Sequence, residues 1–139
     1  MIDREIEDEL LPVTTRNGVS TLSYSSLALG LLSGAVGPER VFAEDDQRRD
    51  NPRFSVENRK KAASFADAIR PLARKYDASI AQMVIAWTLA QPAITFALCG
   101  ARNPAQALDN ARAGTIRLET DDLLAINAAI SAKLTTMDR

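Results

Sequence analysis

The stretch Leu98 to Asn110, LCGARNPAQALDN, leaves the chain few conformations. An apolar run, Ile94 to Cys99, stops at Gly100, and a helix opens almost at once. Asn103 is its N-cap, Pro104 its first residue, where a missing N–H costs nothing, and Gln106 occupies the capping-box position. A strand, a tight turn and a helix start in so short a space mark an α/β connection. Arg102 stands on that turn, just ahead of a helix N-terminus whose unpaired N–H groups and dipole favour an anion. A phosphate is the natural guest, although the same residues also suit a plain helix start beside a solvated arginine.

The anion site has to be local. With 17 basic and 18 acidic residues the net charge is −1, so no global field draws nucleic acid or an anionic membrane. The 139 residues, 46% of them hydrophobic, suffice for one globular domain with a core. The acidic start MIDREIEDELL is unlike a signal peptide, and no apolar run approaches the ~18 residues of a spanning helix, so the expected setting is cytoplasmic. Cys99 cannot form an internal disulfide and reads as a buried thiol at the end of an apolar run. The chain has no histidine, which removes histidine-based acid–base chemistry and histidine metal ligands.

From the N-terminus, Ile6, Leu10 and Val13 predict a helix over Arg4 to Arg16, stopped by Asn17-Gly18. Val19 to Tyr24 alternates apolar and small polar residues and predicts a strand. The small, apolar run Ser25 to Gly34 follows, with glycines that allow close backbone approach. Residues Ala35 to Ser55 read as a loop of about twenty residues, a length that tends to be functional or mobile. Its Arg48, Arg49 and Arg53 could fold over an anion or simply be solvated.

Ser55 caps a predicted amphipathic helix to about Lys75, with a kink or split expected at Pro71, where a lost hydrogen bond costs roughly 3 kcal/mol. Ser79 and Gln82 form a capping box before Ile80 to Ala90, a run apolar nearly all round that predicts a buried helix with Trp87 in the core. Gln91-Pro92 ends it ahead of the strand Ile94 to Cys99. Gly114 stops the Pro104 helix, and Thr120, Asp121 and Asp122 begin a last helix carrying Leu123, Ile126, Ile130 and Leu134. Strands joined through helices run parallel, but two of them do not close a core, so strands are either unread here or belong to something larger.

Four segments, LSYSSLALGLLSG, RRDNPRFSVEN, SIAQMVIAWTLAQP and GARNPAQALDNA, in that order across nearly the whole chain, resemble the C-terminal portion of the aldo-keto reductases. The resemblance implies an α/β fold, the C-terminal part of a (β/α)₈ TIM barrel that is mostly helical with about two parallel strands, in one partial domain over residues 1–139. A complete barrel typically needs about 250 residues. It also implies NADP(H) as cofactor. Tyr24 would stack on the nicotinamide, and Ser25, Leu27, Leu29, Gly30 and Leu32 would run along the pyrophosphate. Gly100, Ala101, Arg102 and Gln106 would hold the 2′-phosphate, with Asp109 and Asn110 facing the adenine. Ser26 stands where the family often has proline and Ala35 where it often has lysine, departures that would weaken the cofactor's hold.

The family's aspartate, tyrosine, lysine and histidine tetrad comes from the first half of the barrel, and Tyr24 and Tyr76 lie in the wrong motifs to replace its tyrosine. No catalytic or metal-binding residue is therefore assigned, and the chain alone is expected to be inactive. Expected partners are NADP(H) and either a second copy or a chain supplying the missing strands, with no nucleic acid and no membrane. The alternative is a non-catalytic cofactor-binding or helical interaction module. A helix-turn-helix is disfavoured, because Ser79 to Ala90 and Pro104 to Ala113 are too far apart for its short turn.

Overall fold

A computed structural model of the chain describes residues 1–137. Helix α1 (Leu10–Arg16) follows a single 3₁₀ turn at Glu5–Glu7, in place of the continuous helix expected from Arg4. Proline explains the break. Its ring clashes with the carbonyl four residues earlier, so the helix restarts late enough to put Pro12 in its first turn, where no N–H is needed. The predicted stripe is consequently not the buried one: Ile6, Leu10 and Val13 are exposed and Leu11 is buried.

Strand β1 (Thr21–Ser23) and strand β2 (Ile94–Ala97) form a two-stranded parallel sheet, each shorter than its sequence signal. Thr21 pairs with Ile94, Leu22 with Phe96 and Ser23 with Ala97, with an irregularity between Thr21 and Leu22. Between the strands run α2 (Val56–Lys75) and α3 (Ile80–Leu89), the crossover that parallel pairing requires. The chain ends in α4 (Pro104–Arg112) and α5 (Thr120–Lys133).

Helix α2 passes through Pro71 as one helix. Pro71 and Asp67, whose carbonyl the proline leaves without its donor, both lie on the exposed face, where water can satisfy that carbonyl. Its other face is the apolar one expected of an amphipathic helix: Ala62, Phe65, Ala66, Ile69 and Ala73 are buried against α5 and α3. Helix α3 is buried over Gln82 to Thr88, and Trp87 in the core donates Nε1–H to Asn127 Oδ1 at 3.0 Å. Ile126, Ile130 and Leu134 of the last segment complete the core with Leu31 and Leu32 from the stretch after β1.

The far face of the sheet is uncovered. Leu22 and Phe96, paired across the strands, are 55% and 56% exposed, and Val19, Tyr24 and Leu98 are exposed as well. Among the described residues no helix is long and apolar enough to cross a membrane.

Candidate functional site

Parallel strands bring their C-terminal ends level, so the segments that leave them start side by side. Here Leu98 N–H donates to Ser23 O at 2.8 Å at that edge. The first segment is the turn after β1. Ser25, Ala28 and Leu29 have φ of 59°, 48° and 53°, and Gly30 follows at 91°. Three successive residues in the left-handed region, two of them bearing side chains, are costly and persist where surrounding structure fixes them, commonly at ligand clamps. The fixing comes from Leu31 and Leu32, whose side chains are buried in the core, and from hydrogen bonds of Ala28 N–H to Ser25 O and Gly30 N–H to Leu27 O. Leu32 therefore turns its side chain inward, whereas Tyr24, Ser25 and Leu29 lie exposed along the outer rim.

The second segment is the β2–α4 turn. Asn103 Oδ1 accepts the Gln106 N–H at 2.9 Å, as expected of an N-cap. Gln106 Oε1 reaches back to the N–H of Arg102 at 2.8 Å, one residue beyond the usual capping-box target. Asn110 Nδ2 donates to Gly100 O at 3.1 Å and so ties the turn to the helix that follows it. Asp109 looks elsewhere: its carboxylate accepts from Gln82 Nε2 at 2.8 Å and from Ser79 Oγ at 3.2 Å, clamping α4 to the capping box of α3. Ala101, Asn110 and the half-buried Cys99 border an open, mainly apolar groove of about 420 Å³ floored by Ile85 and Leu89. Partial burial pushes the Cys99 thiol pKa up, which keeps it a protonated, weakly reactive lining group.

The third segment is the long loop, and it decides which of its arginines matter. Arg49 pairs with Glu44 and Arg53 with Asp3. Arg48 instead lies with Nη1 4.0 Å from the position a Cβ on Gly30 would take. Asp46 holds it there by a fork of bonds to Nε at 2.9 Å and Nη2 at 2.5 Å, and also accepts the Arg48 N–H at 3.0 Å. These bonds, helped by the positive charge of Arg102, pull the Asp46 carboxyl pKa down to about 2. Arg102 thus lies within electrostatic reach of Asp46, and it makes no ion pair among the described residues. The Asp46/Arg48 pair carried only a weak sequence signal, a carboxylate two residues before an arginine in a loop. Among the described residues no cluster of acidic or cysteine side chains could hold a metal.

The arrangement is a corner with left-handed backbone on one side, the Arg48–Asp46 pair over it and Arg102, which makes no ion pair among the described residues, at the mouth of α4. It is suited to an extended polyanion.

Comparison with known proteins agrees with this architecture. Residues 1–131 match the Aldo/keto reductase family. The aldo-keto reductase YhdN of Bacillus subtilis is 36% identical over 107 residues, covering 76% of this chain and 32% of that protein. The NADH-specific methylglyoxal reductase of Escherichia coli is 33% identical over 122 residues, covering 88% of this chain and 37% of its own length. The glycerol dehydrogenase AKR11B4 of Gluconobacter oxydans superposes on 99% of the chain with a TM-score of 0.86 at 27% identity, using 42% of its own length. The chain spans about a third of the curated relatives it matches. Its structural relatives are (β/α)₈ barrels, and the two parallel strands with their helices are part of such a barrel.

Proposed function

Because the chain belongs to the Aldo/keto reductase family, whose members use NAD(P)H, we propose that it is the cofactor-binding portion of an NADP(H)-dependent carbonyl reductase, a single partial barrel domain over residues 1–139. The observation that carries this reading is the meeting of three segments at the carboxyl ends of the parallel strands, where barrels bind their ligands. The residues present fit a dinucleotide: a left-handed backbone run with little side-chain bulk at Gly30, one guanidinium over it, and a second at a helix N-terminus. When bound, the cofactor supplies a hydride.

In this reading Tyr24 offers its exposed ring to the nicotinamide, and Ser25, Leu27, Leu29, Gly30 and Leu32 offer backbone to the pyrophosphate. Gly100, Ala101, Arg102 and Gln106 receive the 2′-phosphate. Asn110 borders the groove that takes the adenine, and Asp109 stands behind it, holding the α3 cap. The chain contributes binding and orientation but no proton donor, since the family's tetrad lies outside it. Purified chain mixed with NADPH and an aldehyde should show no oxidation above a protein-free control.

Calorimetric titration tests the assignment. Arg102 to phosphate is a charge-assisted contact worth roughly 1.5–3 kcal/mol, so Arg102→Ala should weaken NADPH binding by about one to two orders of magnitude and leave NADH almost unchanged. Equal losses for both cofactors would mean that Arg102 shapes the turn without reading the phosphate. A parent that prefers NADH, as the name of the Escherichia coli relative indicates for that protein, would overturn the choice of NADP(H).

A further inference from the structure

Among the described residues, one buried charge has no carboxylate to account for it. Arg59, the fourth residue of α2, is 7% exposed and makes no ion pair among the described residues. Three of its five N–H donors go to backbone carbonyls: Nε donates to Phe54 O at 3.0 Å, and Nη1 to Arg40 O at 2.7 Å and Gly37 O at 3.1 Å. Burying an arginine is expensive, and hydrogen bonds from a charged donor, which are the stronger kind, offset that cost. These three carbonyls belong to the two ends of the long loop, two near its start and one at its close.

The same guanidinium lies 5.6 Å from the centroid of the Phe42 ring, and Arg48 lies 4.9 Å from that centroid. Phe42 also meets the buried Phe54 edge-on, with centroids 5.6 Å apart. Arg59, Phe42 and Arg48 therefore form one continuous stack from the helix to the edge of the candidate site. Cation–π contacts and edge-to-face rings set geometry as well as adding energy. A loop whose regular structure is one 3₁₀ turn at Pro52–Phe54 is tied near both ends, and contacted in its middle at Phe42, by one side chain.

We infer that Arg59 is the positioning residue for residues 37–54, fixing that segment so that Arg48 stands over Gly30. It touches no ligand itself. Through Arg48 it sets the phosphate side of the site, and this second half of the inference rests on the cofactor reading above; the first half does not.

Two measurements on the 139-residue chain separate the halves. Hydrogen exchange on Arg59→Met should show amides across 37–54 exchanging faster by about an order of magnitude or more, with α3 amides unchanged, as expected of a local opening. Arg59→Lys, which keeps a buried cation and part of its carbonyl bonding, should restore slow exchange at 37–40 in part. Unchanged exchange at 37–54, or equal acceleration in α3, would overturn the positioning role. NADPH affinity should fall several-fold in Arg59→Met, and by much less when Arg48→Ala is already present, because the effect travels through Arg48. Full additivity of the two losses would overturn that route. A parent chain that binds no NADPH would sink the cofactor reading alone, and the exchange result would still decide the role of Arg59.

Discussion

Gly34 closes the turn after β1 at the point where it meets the start of α3, and a single methyl group placed there tests how rigidly the turn is seated. Its φ is +78°, a region in which a residue with a Cβ pays about 1–2 kcal/mol. A Cβ built on it would lie 3.0 Å from Ile80 Cβ, 3.1 Å from Cγ1 and 3.3 Å from Cγ2. Rotating the Ile80 side chain can move the γ carbons but not Cβ, which is fixed to the backbone of α3. Relief must come from shifting the turn or the helix end, an overpacking cost of about 1–3 kcal/mol. Gly34→Ala should therefore destabilise the chain by about 2–5 kcal/mol, a large share of the 5–15 kcal/mol typical of a domain. Urea denaturation followed by circular dichroism measures it. Adding Ile80→Ala removes both γ contacts but keeps the Cβ contact, so the double variant should retain the φ cost and most of the overpacking cost. A Gly34→Ala loss under about 1 kcal/mol would refute the claim that the turn is wedged against α3.

Two further outcomes follow from the packing. Tyr76 donates its hydroxyl to Asp122 and accepts the Glu119 N–H at 2.9 Å, while Lys75 Nζ bonds Asp122 and Glu119 at 2.7 Å each, so α2 and α5 are tied by one network. Tyr76→Phe should cost about 1 kcal/mol in urea melts. Hydrogen bonds from Lys75 and then Tyr76 hold the Asp122 pKa below its usual 3.8, so its stabilising effect is complete above that value and is lost as pH falls through the lowered one. Asp122→Asn should flatten this acid limb, and an unchanged limb would contradict the linkage. On the uncovered sheet face, Leu22→Thr with Phe96→Thr should reduce self-association in light scattering and binding of a hydrophobic dye, since those two side chains are the paired centre of the exposed apolar surface. Undiminished association would place the sticky surface elsewhere.

What was legible in the sequence is what is decided locally. Caps and first-turn prolines depend on residues three or four positions apart, and Ser55, the Ser79/Gln82 box and Asn103-Pro104 all act as read. The crossover between two parallel strands followed from the same order of elements. Strand length was not legible, because a strand is as long as its neighbours allow, and among the described residues β1 and β2 have only each other. Pro12 and Pro71 show why one residue reads differently in two places: the first sets where α1 begins, and the second sits on a solvated helix face that tolerates it. At the candidate site, the place of Arg102 on the turn before α4 was legible from the Asn103-Pro104 helix start. Arg59 was not, since its partners are carbonyls up to 22 residues away that carry no mark in the sequence. Nor was the turn of Asp109 toward Ser79, which depends on how α4 packs on α3.

The central claim is that residues 25–32, 46–48 and 100–106 form one dinucleotide site, and amide chemical-shift mapping of the 139-residue chain titrated with NADPH tests it most directly. The account predicts saturable shifts in all three segments with a common affinity, together with shifts at Arg102 and Gln106 that shrink when NADH replaces NADPH. Shifts confined to one segment, different affinities for the three, or a response centred on the uncovered sheet face would contradict it.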